Sequence, residues 1–417
     1  MLSNLLKLVL LTQSLPFIRH YKKPPFISQL LEVIRKLHVP SWITTSQIPL
    51  EDVIVHKVSG SMTNSVFFVS CPTLSSTSTL LLRIYGSSSA SLVSRPKELQ
   101  TLHTLSSRYN IGPRVYGTFE NGRIEEYFDS VTLTASDIRN PQISRWIGAR
   151  MAELHSVDVD LVDGTNEGKK IQIATNINSW VTSAKEVLRL PTVSESTRQE
   201  FDLSRFKDEW NRYITWAIRE GRGLGSKRVF AHNDTQYGNL LRLKDRSVGI
   251  DEHRQVYAAI SLSCKHSFLT LKIFFLKKII VVDFEYSGPN PAAYDIANHF
   301  QEWTANYHSR SPHLLNPSRY PTLEERCNFY NSYLRHARKL AEEDPIIDGD
   351  ELANLIKDFE WDVRVWSAAS HGGWAIWGIV QAREDLESDI ADIEFDYIQY
   401  AKGRMASFRQ LIQTLGI

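Results

Sequence analysis

Hydrophobic and polar residues alternate in a strand-like pattern from Leu50 to Phe128 and recur at helical spacing after Phe128. From Leu50 to Phe128, short apolar runs are separated by small polar residues, which predicts a set of β-strands. Beyond Phe128, apolar residues recur at helical spacing and predict helices over residues 140–156, 173–190 and 204–220. The pattern therefore predicts an α+β fold with a strand-rich first lobe and a helix-rich second lobe.

The chain before Leu50 carries a pattern of its own. Apolar residues from Phe26 to Leu37 stand at helical spacing and predict a peripheral helix. Residues 1–11 are mostly apolar, but no small-residue cleavage pattern follows them, so a peripheral segment is favoured over a targeting signal or membrane span. The predicted organisation is an N-terminal helical segment at 1–49, an N-lobe at 50–128 and a C-lobe at 129–417.

Composition narrows the class of protein. The chain has 417 residues, of which 42% are hydrophobic and 11% aromatic, so it can bury a large core. There are 48 basic and 47 acidic residues, and no basic run has interleaved aromatics, so nucleic acid is not an expected partner. Cys71, Cys264 and Cys327 are widely spaced and lack metal-ligand spacing, which favours a reducing, cytoplasmic setting.

Two polar clusters next to apolar strands carry the chemistry. His232 and Asp234 are followed by Asn239, and Asp283 ends a run of β-branched residues. Phosphoryl transfer needs a carboxylate that deprotonates the attacking hydroxyl and oxygen ligands that hold Mg²⁺, and protein kinases place these groups at the same spacing. We assign Asp234 as the catalytic base and Asn239 and Asp283 as metal ligands, the alternative being two acidic turns. Asp295 is expected to brace the catalytic loop.

A small polar loop between two predicted strands is a candidate cover for the phosphates of ATP. Exposed backbone N–H groups in such a loop can bind phosphate oxygens, although an ordinary hairpin would give the same pattern. The candidate residues are Ser59, Gly60, Ser61, Thr63 and Asn64.

An arginine and a glutamate add to the predicted nucleotide site. Arg83 stands where a kinase strand carries its phosphate-binding lysine, and a guanidinium can bond two phosphate oxygens. Glu98 lies on the helix predicted over 96–109 and is expected to pair with Arg83. A solvated side chain is the alternative for each residue.

The chain resembles the choline/ethanolamine kinase family from about residue 50 to its C-terminus and, more distantly, the aminoglycoside phosphotransferases. The segments that carry the resemblance are 82–86, 232–239, 282–290 and 294–303. The resemblance implies a bilobal protein-kinase-like fold and the use of ATP and Mg²⁺ to phosphorylate the hydroxyl of a small amino alcohol. It also implies that Gln236 and Glu285 lie near the acceptor hydroxyl and the metal, and homodimers are frequent in the family.

Aromatic residues at helical spacing are candidates for the amino-alcohol site. A quaternary ammonium cannot donate a hydrogen bond, so aromatic faces and nearby carboxylates bind it. Core packing is the alternative for aromatics in this pattern. Glu302 is expected to supply the countercharge. The aromatic candidates, which match the family's choline-binding positions, are Trp303, Tyr307, Trp374, Trp377 and Tyr400.

Three classes of function compete: an amino-alcohol kinase, a non-catalytic binding module and a protein kinase. Phosphorylation of choline is favoured over that of ethanolamine because Trp303 and Tyr307 supply aromatic faces, and dual use remains open. A non-catalytic kinase-like binding module is the alternative from another class. A protein kinase is disfavoured, because no Ala-Pro-Glu segment follows Asp283.

Two features depart from the family's pattern. Residues 256–278 contain no acidic residue and lie where the family has a short turn, so we interpret them as an insertion, either a retained intron or a surface hairpin. Gly372 and Gly373 precede Trp374, which predicts a loosely formed start of the helix that carries Trp374 and Trp377.

Overall fold

A computed structural model describes most of the chain as two compact units, Met1–Asp129 and Ser130–Ile417. The described residues are 10–11, 21–43, 48–58, 64–85, 95–163, 171–221, 223–244, 278–387 and 395–417.

The first unit is built on a six-stranded sheet with the strand order β1-β5-β6-β4-β3-β2. β1 pairs in parallel with β5, and the other neighbours are antiparallel. The strands are β1 (Leu10–Leu11), β2 (Ile54–Val58), β3 (Asn64–Ser70), β4 (Leu80–Tyr85), β5 (Val115–Phe119) and β6 (Gly122–Glu126). β4 is central, so Arg83 is carried by a strand with partners on both sides.

Two helices complete the first unit, α1 (Pro24–Lys36) and α2 (Arg95–Arg108). α1 begins with proline at its first turn, where the missing N–H costs no hydrogen bond. Its apolar residues, including Phe26 and Leu30, join the hydrophobic core with Phe67 of β3. The helix predicted near the N-terminus is confirmed, but it is part of this core and not peripheral.

The second unit combines helices with two small sheets. β7 (Ser130–Thr132), β9 (Leu240–Leu243) and β10 (Ile279–Val281) form one sheet, and β8 (Arg228–Ala231) and β11 (Gly288–Pro291) form the other. The helices are α3 (Pro141–His155), α4 (Val159–Asp163), α5 (Gln172–Leu188), α6 (Glu195–Phe201), α7 (Leu203–Glu220), α8 (Ala292–Glu302), α9 (Leu323–Leu340), α10 (Gly349–Gln381), α11 (Arg383–Glu387) and α12 (Tyr397–Thr414). The helices predicted from spacing are confirmed to within two residues at each end.

Helix α10 forms the centre of the second unit and packs against α5, α8 and α12. It begins at Gly349 and is capped by Asp348, whose side chain accepts the N–H of Glu351 and so satisfies one free donor of the first turn. Gly372 and Gly373 lie in its buried interior, so the prediction that the helix starts loosely near Trp374 is wrong.

Within the described ranges, no helix is both long enough and apolar enough to cross a bilayer.

Candidate active site

The catalytic loop leaves β8 at Ala231 and is held by one buried carboxylate. Asp295 of α8 accepts the backbone N–H of His232 at 2.8 Å and of Asn233 at 2.7 Å, and contacts Nε2 of His155 at 3.0 Å. Asn233 adopts a left-handed conformation with φ of 67°, which an asparagine tolerates better than most residues. Asp295 therefore braces the loop, as the sequence predicts.

The charge of Asp295 is stabilised despite its burial. Burial alone would raise the pKa of this carboxyl, but the hydrogen bond and charge of His155 and the N–H of His232 outweigh it and lower the pKa. The anion therefore persists at neutral pH and keeps the two N–H groups of the loop in place.

Asp234 and Asn239 form a hydrogen-bonded pair across a short 3₁₀ turn, Tyr237–Asn239. Nδ2 of Asn239 donates to Oδ2 and to the carbonyl of Asp234, both at 2.9 Å. Burial raises the pKa of Asp234 well above its ordinary value, and the charges of Glu302, Asp283 and Glu285 raise it further. A carboxylate of raised pKa is a stronger base, which suits proton abstraction.

Asp283 follows β10, and the residue before it, Val282, is hydrogen-bonded to the catalytic loop. The N–H of Val282 donates to the carbonyl of Asn239 at 3.0 Å, and Nε2 of His232 contacts the carbonyl of Val282 at 3.0 Å. Asp283 has φ of 68°, a left-handed conformation that is uncommon for non-glycine residues and that aspartate adopts more often than most. His232 therefore has a structural role, since its ring joins the catalytic loop to Val282. The catalytic and metal-binding roles are assigned to Asp234, Asn239 and Asp283.

The oxygen donors near Asp234 fit a hard divalent cation. Carboxylate oxygens of Asp283 and Glu285 lie within 4.8 Å of each other. Because the NH₂ end of the Asn239 amide is used by Asp234, the amide oxygen is the end that can bind a cation. An all-oxygen set of this kind matches Mg²⁺.

Aromatic rings from α10, α12 and three connecting segments meet in one cluster, which we call the ring cluster. Its members are Tyr286, Tyr307, Trp374, Trp377, Phe395 and Tyr400. The centroids of Trp374 and Trp377 lie 5.2 Å apart, and those of Trp377 and Tyr400 lie 6.1 Å apart. Tyr286 lies 5.7 Å from Trp374 and was missed by the sequence reasoning, although it directly follows Glu285.

Glu302 is bonded within the protein through both of its oxygens. The hydroxyl of Tyr307 donates to Oε2 at 2.5 Å, and Nη2 of Arg404 donates to Oε1 at 2.8 Å. Arg404 also donates from Nε to the hydroxyl of Tyr400 at 3.1 Å. The sequence reasoning did not find Arg404, because no local motif marks an arginine that pairs with a glutamate 102 residues away.

Trp303 belongs to the core and not to the ring cluster. Its ring is fully buried against His299 and Phe300, and the guanidinium of Arg139 lies 5.1 Å from the centre of the indole. The prediction of Trp303 as a residue of the amino-alcohol site gains no support from this position and stays a prediction. Helical spacing placed it one turn from Tyr307, but α8 ends at Glu302, so Tyr307 lies beyond the helix.

In the first unit, Glu98 pairs with arginines other than the predicted one. Its carboxylate accepts from Arg95 at 2.7 Å and from the fully buried Arg123 at 2.8 Å. Arg83 forms an ion pair with Glu125 at 3.8 Å. The expected Arg83–Glu98 pair is thus replaced, since Arg123 lies directly opposite Arg83 on β6 and binds Glu98 itself.

The structure describes some of the remaining predicted site residues and not others. Gln236 precedes the 3₁₀ turn, and a Cβ at Gly238 would lie 2.9 Å from its Oε1, so a larger residue there would displace the end of the Gln236 side chain. Asn64 begins β3. Ser59, Gly60, Ser61 and Thr63 lie outside the described residues.

A strand-rich unit followed by a helix-rich unit, with Asp234 and Asn239 hydrogen-bonded beside Asp283, defines a phosphotransferase of the protein-kinase-like class. Residues 55–409 match the family described as choline/ethanolamine kinase. The chain belongs to this family and is a kinase.

Individual relatives agree. The chain is 33% identical to the choline kinase of Schizosaccharomyces pombe, over 94% of this chain and 90% of that protein. It is 29% identical to the ethanolamine kinase of Saccharomyces cerevisiae, over 94% of this chain and 77% of that protein. The fold resembles the solved choline kinase from Cryptosporidium parvum Iowa II, with a TM-score of 0.69 at 23% identity, over 93% of this chain and 96% of that one.

Proposed function

We propose that the chain transfers the γ-phosphoryl group of ATP to the hydroxyl of choline, forming phosphocholine in the first step of phosphatidylcholine synthesis. The observation that carries the proposal is the ring cluster in the same unit as the hydrogen-bonded pair of Asp234 and Asn239. Aromatic faces attract a quaternary ammonium through their quadrupole, which suits choline. The names of relatives such as the choline kinase of Schizosaccharomyces pombe support the same substrate.

In the proposed reaction Asp234 accepts the proton of the choline hydroxyl as that oxygen attacks the γ-phosphorus. The bond from the γ-phosphorus to the bridging oxygen breaks, and ADP leaves with the electron pair. Asn239 holds the carboxylate of Asp234 in one orientation through the 2.9 Å hydrogen bond. Gln236 is proposed to contact the acceptor hydroxyl.

Asn239 and Asp283 would hold Mg²⁺, with Glu285 beside them. When bound, the ion supplies positive charge that offsets the negative charge of the phosphates. We propose that Arg83 and the loop at 59–64 bind the ATP phosphates. Glu98 would support this site indirectly, since its carboxylate bonds Arg95 and Arg123.

Ethanolamine is the second candidate acceptor, alone or beside choline. A relative named ethanolamine kinase supports it. We also propose a cytoplasmic enzyme that can pair as a homodimer. The two described cysteines, Cys71 and Cys327, are free thiols, which agrees with a reducing setting.

The test is ADP release by the purified chain with Mg-ATP and either choline or ethanolamine. Asp234→Asn removes the base and is expected to lower kcat by about 10²–10⁴-fold. Asp358→Asn is the matched control, because Asp358 is an exposed aspartate on α10. If the unsubstituted chain binds ATP but phosphorylates neither alcohol, the kinase-like binding module becomes the better description.

A further inference from the structure

Asn233, the residue before the proposed catalytic base, is bonded through all four of its polar groups. Its N–H donates to Asp295 at 2.7 Å, and its carbonyl accepts from Nδ2 of Asn298 at 3.2 Å. Its side-chain Nδ2 donates to the carbonyl of Tyr286 at 2.9 Å, and its Oδ1 accepts from Nδ2 of Asn290 at 2.8 Å. Only 6% of the residue is exposed, so these groups depend on protein partners in place of water.

The start of a helix sets the orientation of the Asn233 amide. Ile173 belongs to the first turn of α5, where an N–H has no partner within the helix, and it donates to Oδ1 of Asn290 at 3.1 Å. Because this N–H needs an acceptor, the NH₂ of Asn290 faces the other way, towards Oδ1 of Asn233. The NH₂ of Asn233 is thereby directed to the carbonyl of Tyr286.

Two of the four bonds lead from the catalytic loop to the ring cluster. Tyr286, which accepts from the Asn233 side chain, belongs to the cluster, and its ring lies 5.7 Å from that of Trp374. Asn298, which donates to the Asn233 carbonyl, accepts the indole N–H of Trp374 at 3.2 Å. The peptide bond to which this carbonyl belongs leads into Asp234. The rings and the proposed base are therefore joined through one residue.

The backbone at Asn233 does not itself need this side chain. Its φ of 67° lies in the left-handed region, which glycine adopts without steric cost and asparagine at a small cost. Glycine would therefore satisfy the turn. What asparagine adds is the pair of side-chain bonds to Tyr286 and Asn290.

We propose that Asn233 is a positioning residue that fixes the distance between the ring cluster and the Asp234 carboxylate, and thereby selects acceptors by the number of carbons between nitrogen and hydroxyl. The inference rests on the proposed function, in which the rings receive the cationic end of the acceptor and Asp234 its hydroxyl proton. A misplacement of about 1 Å can cost on the order of 10²-fold in rate. A fixed distance therefore suits the two-carbon spacer of choline and disfavours a three-carbon spacer.

The test is the ratio of kcat/KM for choline to that for homocholine, which has one more methylene between nitrogen and hydroxyl. Asn233→Gly keeps the left-handed backbone and removes the bonds to Tyr286 and Asn290. The ratio is expected to fall about fivefold, the worth of one neutral hydrogen bond. The loss should lie in kcat for choline and leave its KM nearly unchanged, because the rings that receive the nitrogen are kept.

Asn298→Ala tests the second connection between the rings and the loop. It removes the donor to the Asn233 carbonyl and the acceptor of the Trp374 indole, while the Asn233 side chain remains. The same ratio is expected to fall, so the test does not depend on the folding of Asn233→Gly. Urea unfolding of both variants measures their stability, and a loss of stability alone would lower the amount of active enzyme without changing the ratio.

Asn110→Gly is the matched control. Asn110 also has a left-handed conformation, with φ of 52°, and it is exposed in the first unit. The same substitution there is expected to leave both the ratio and kcat unchanged.

Two results would overturn the proposal. One is a ratio close to one in the unsubstituted chain, and the other is an equal loss of activity on both alcohols in Asn233→Gly and Asn298→Ala. Failure of the unsubstituted chain to phosphorylate either alcohol would instead reject the proposed phosphorylation of choline.

Discussion

At the scale of a single residue, the hydrogen bonds of His299 select the neutral form of its imidazole ring. Nδ1 lies 2.9 Å from the carbonyl of Thr235, and Nε2 accepts the indole N–H of Trp303 at 3.2 Å. A carbonyl needs a donor and an indole N–H needs an acceptor, so this geometry selects the neutral ring with its proton on Nδ1. A second proton on Nε2 would face the N–H of Trp303.

The burial of His299 is expected to make the fold weaker in acid. Burial lowers the pKa of this ring from 6.5 to about 4, against the opposing effects of the Thr235 carbonyl and Asp295. Between these values the unfolded chain binds a proton that the folded chain does not, so stability rises with pH and is lost as the pH falls. The slope can reach about 1.4 kcal/mol per pH unit for one such group. Chemical unfolding followed from about pH 7 to about pH 4.5 measures it.

His299→Gln is the comparison for this prediction. Glutamine can donate to the Thr235 carbonyl and accept from Trp303 but does not titrate in this range. The variant should show a shallower fall of stability with acid. An unchanged slope would mean that His299 is not a source of the acid sensitivity.

The sequence predicts a site residue when its partners are close to it along the chain. Asp234, Asn239 and Asp283 stand at spacings set by one loop and one strand, and the structure brings them to the same place. Tyr286 and Arg404 depend on partners from other helices, so no spacing reveals them. The assignments of the predicted residues to substrate and metal remain proposals.

At the scale of elements, the glycines of α10 illustrate why local propensity misleads. A Cβ at Gly372 would lie 3.1 Å from Trp210 and 3.2 Å from Phe408, so glycine at this position permits the close approach of α7 and α12. A pair of glycines in sequence predicts a weak helix start, because propensity alone cannot register neighbours from distant helices. The helix is stabilised here by packing and not by its own composition.

Two glycine substitutions are expected to have opposite effects on stability. Gly403 lies within α12 and no atom would lie within 4 Å of an added Cβ, so Gly403→Ala should gain up to about 1 kcal/mol from helix propensity. Gly372→Val should lose about 1–3 kcal/mol, because its methyl groups would overpack against Trp210 and Phe408. Urea unfolding of the two variants measures both changes.

Both substitutions add side-chain atoms to a helical glycine, so their difference reports the packing around Gly372. A Gly372→Val variant as stable as the unsubstituted chain would show that α7 and α12 can move apart at no cost.

The strands and helices themselves are largely predictable from sequence, since apolar periodicity marks both. Strand order and helix packing are not, because they depend on contacts between distant segments.

At the scale of the whole molecule, the connection between β9 and β10 is the main departure from the family's pattern. Arg242 and Ile279 are antiparallel partners, and the N–H of Leu243 donates to the carbonyl of Lys278 at 3.0 Å. The two ends of the connection are therefore adjacent in a hairpin. The predicted insertion at 256–278 lies outside the described residues except for Lys278.

Deletion of residues 256–278 is expected to preserve both fold and activity. Residues 244–255 then connect to Ile279, and adjacent strand ends need only a short turn. Thermal melting and choline-dependent ADP release of the shortened chain should equal or exceed those of the full chain. A shortened chain that folds but loses turnover would show that the segment takes part in function, and would contradict the interpretation as an insertion.

Asp295 holds the catalytic loop, and other residues form the ring cluster that is proposed to bind the acceptor alcohol. Asp295 and His155 hold the catalytic loop, whereas α10 and α12 carry three of the six rings of the ring cluster. Trp374 reaches the catalytic loop through Asn298, which donates to the carbonyl of Asn233, but within the described residues no such bond joins Trp377 or Tyr400 to the loop. In evolutionary terms, the proposed acceptor alcohol can change by substitution of these two rings while Asp234, Asn239 and Asp295 are inherited unchanged.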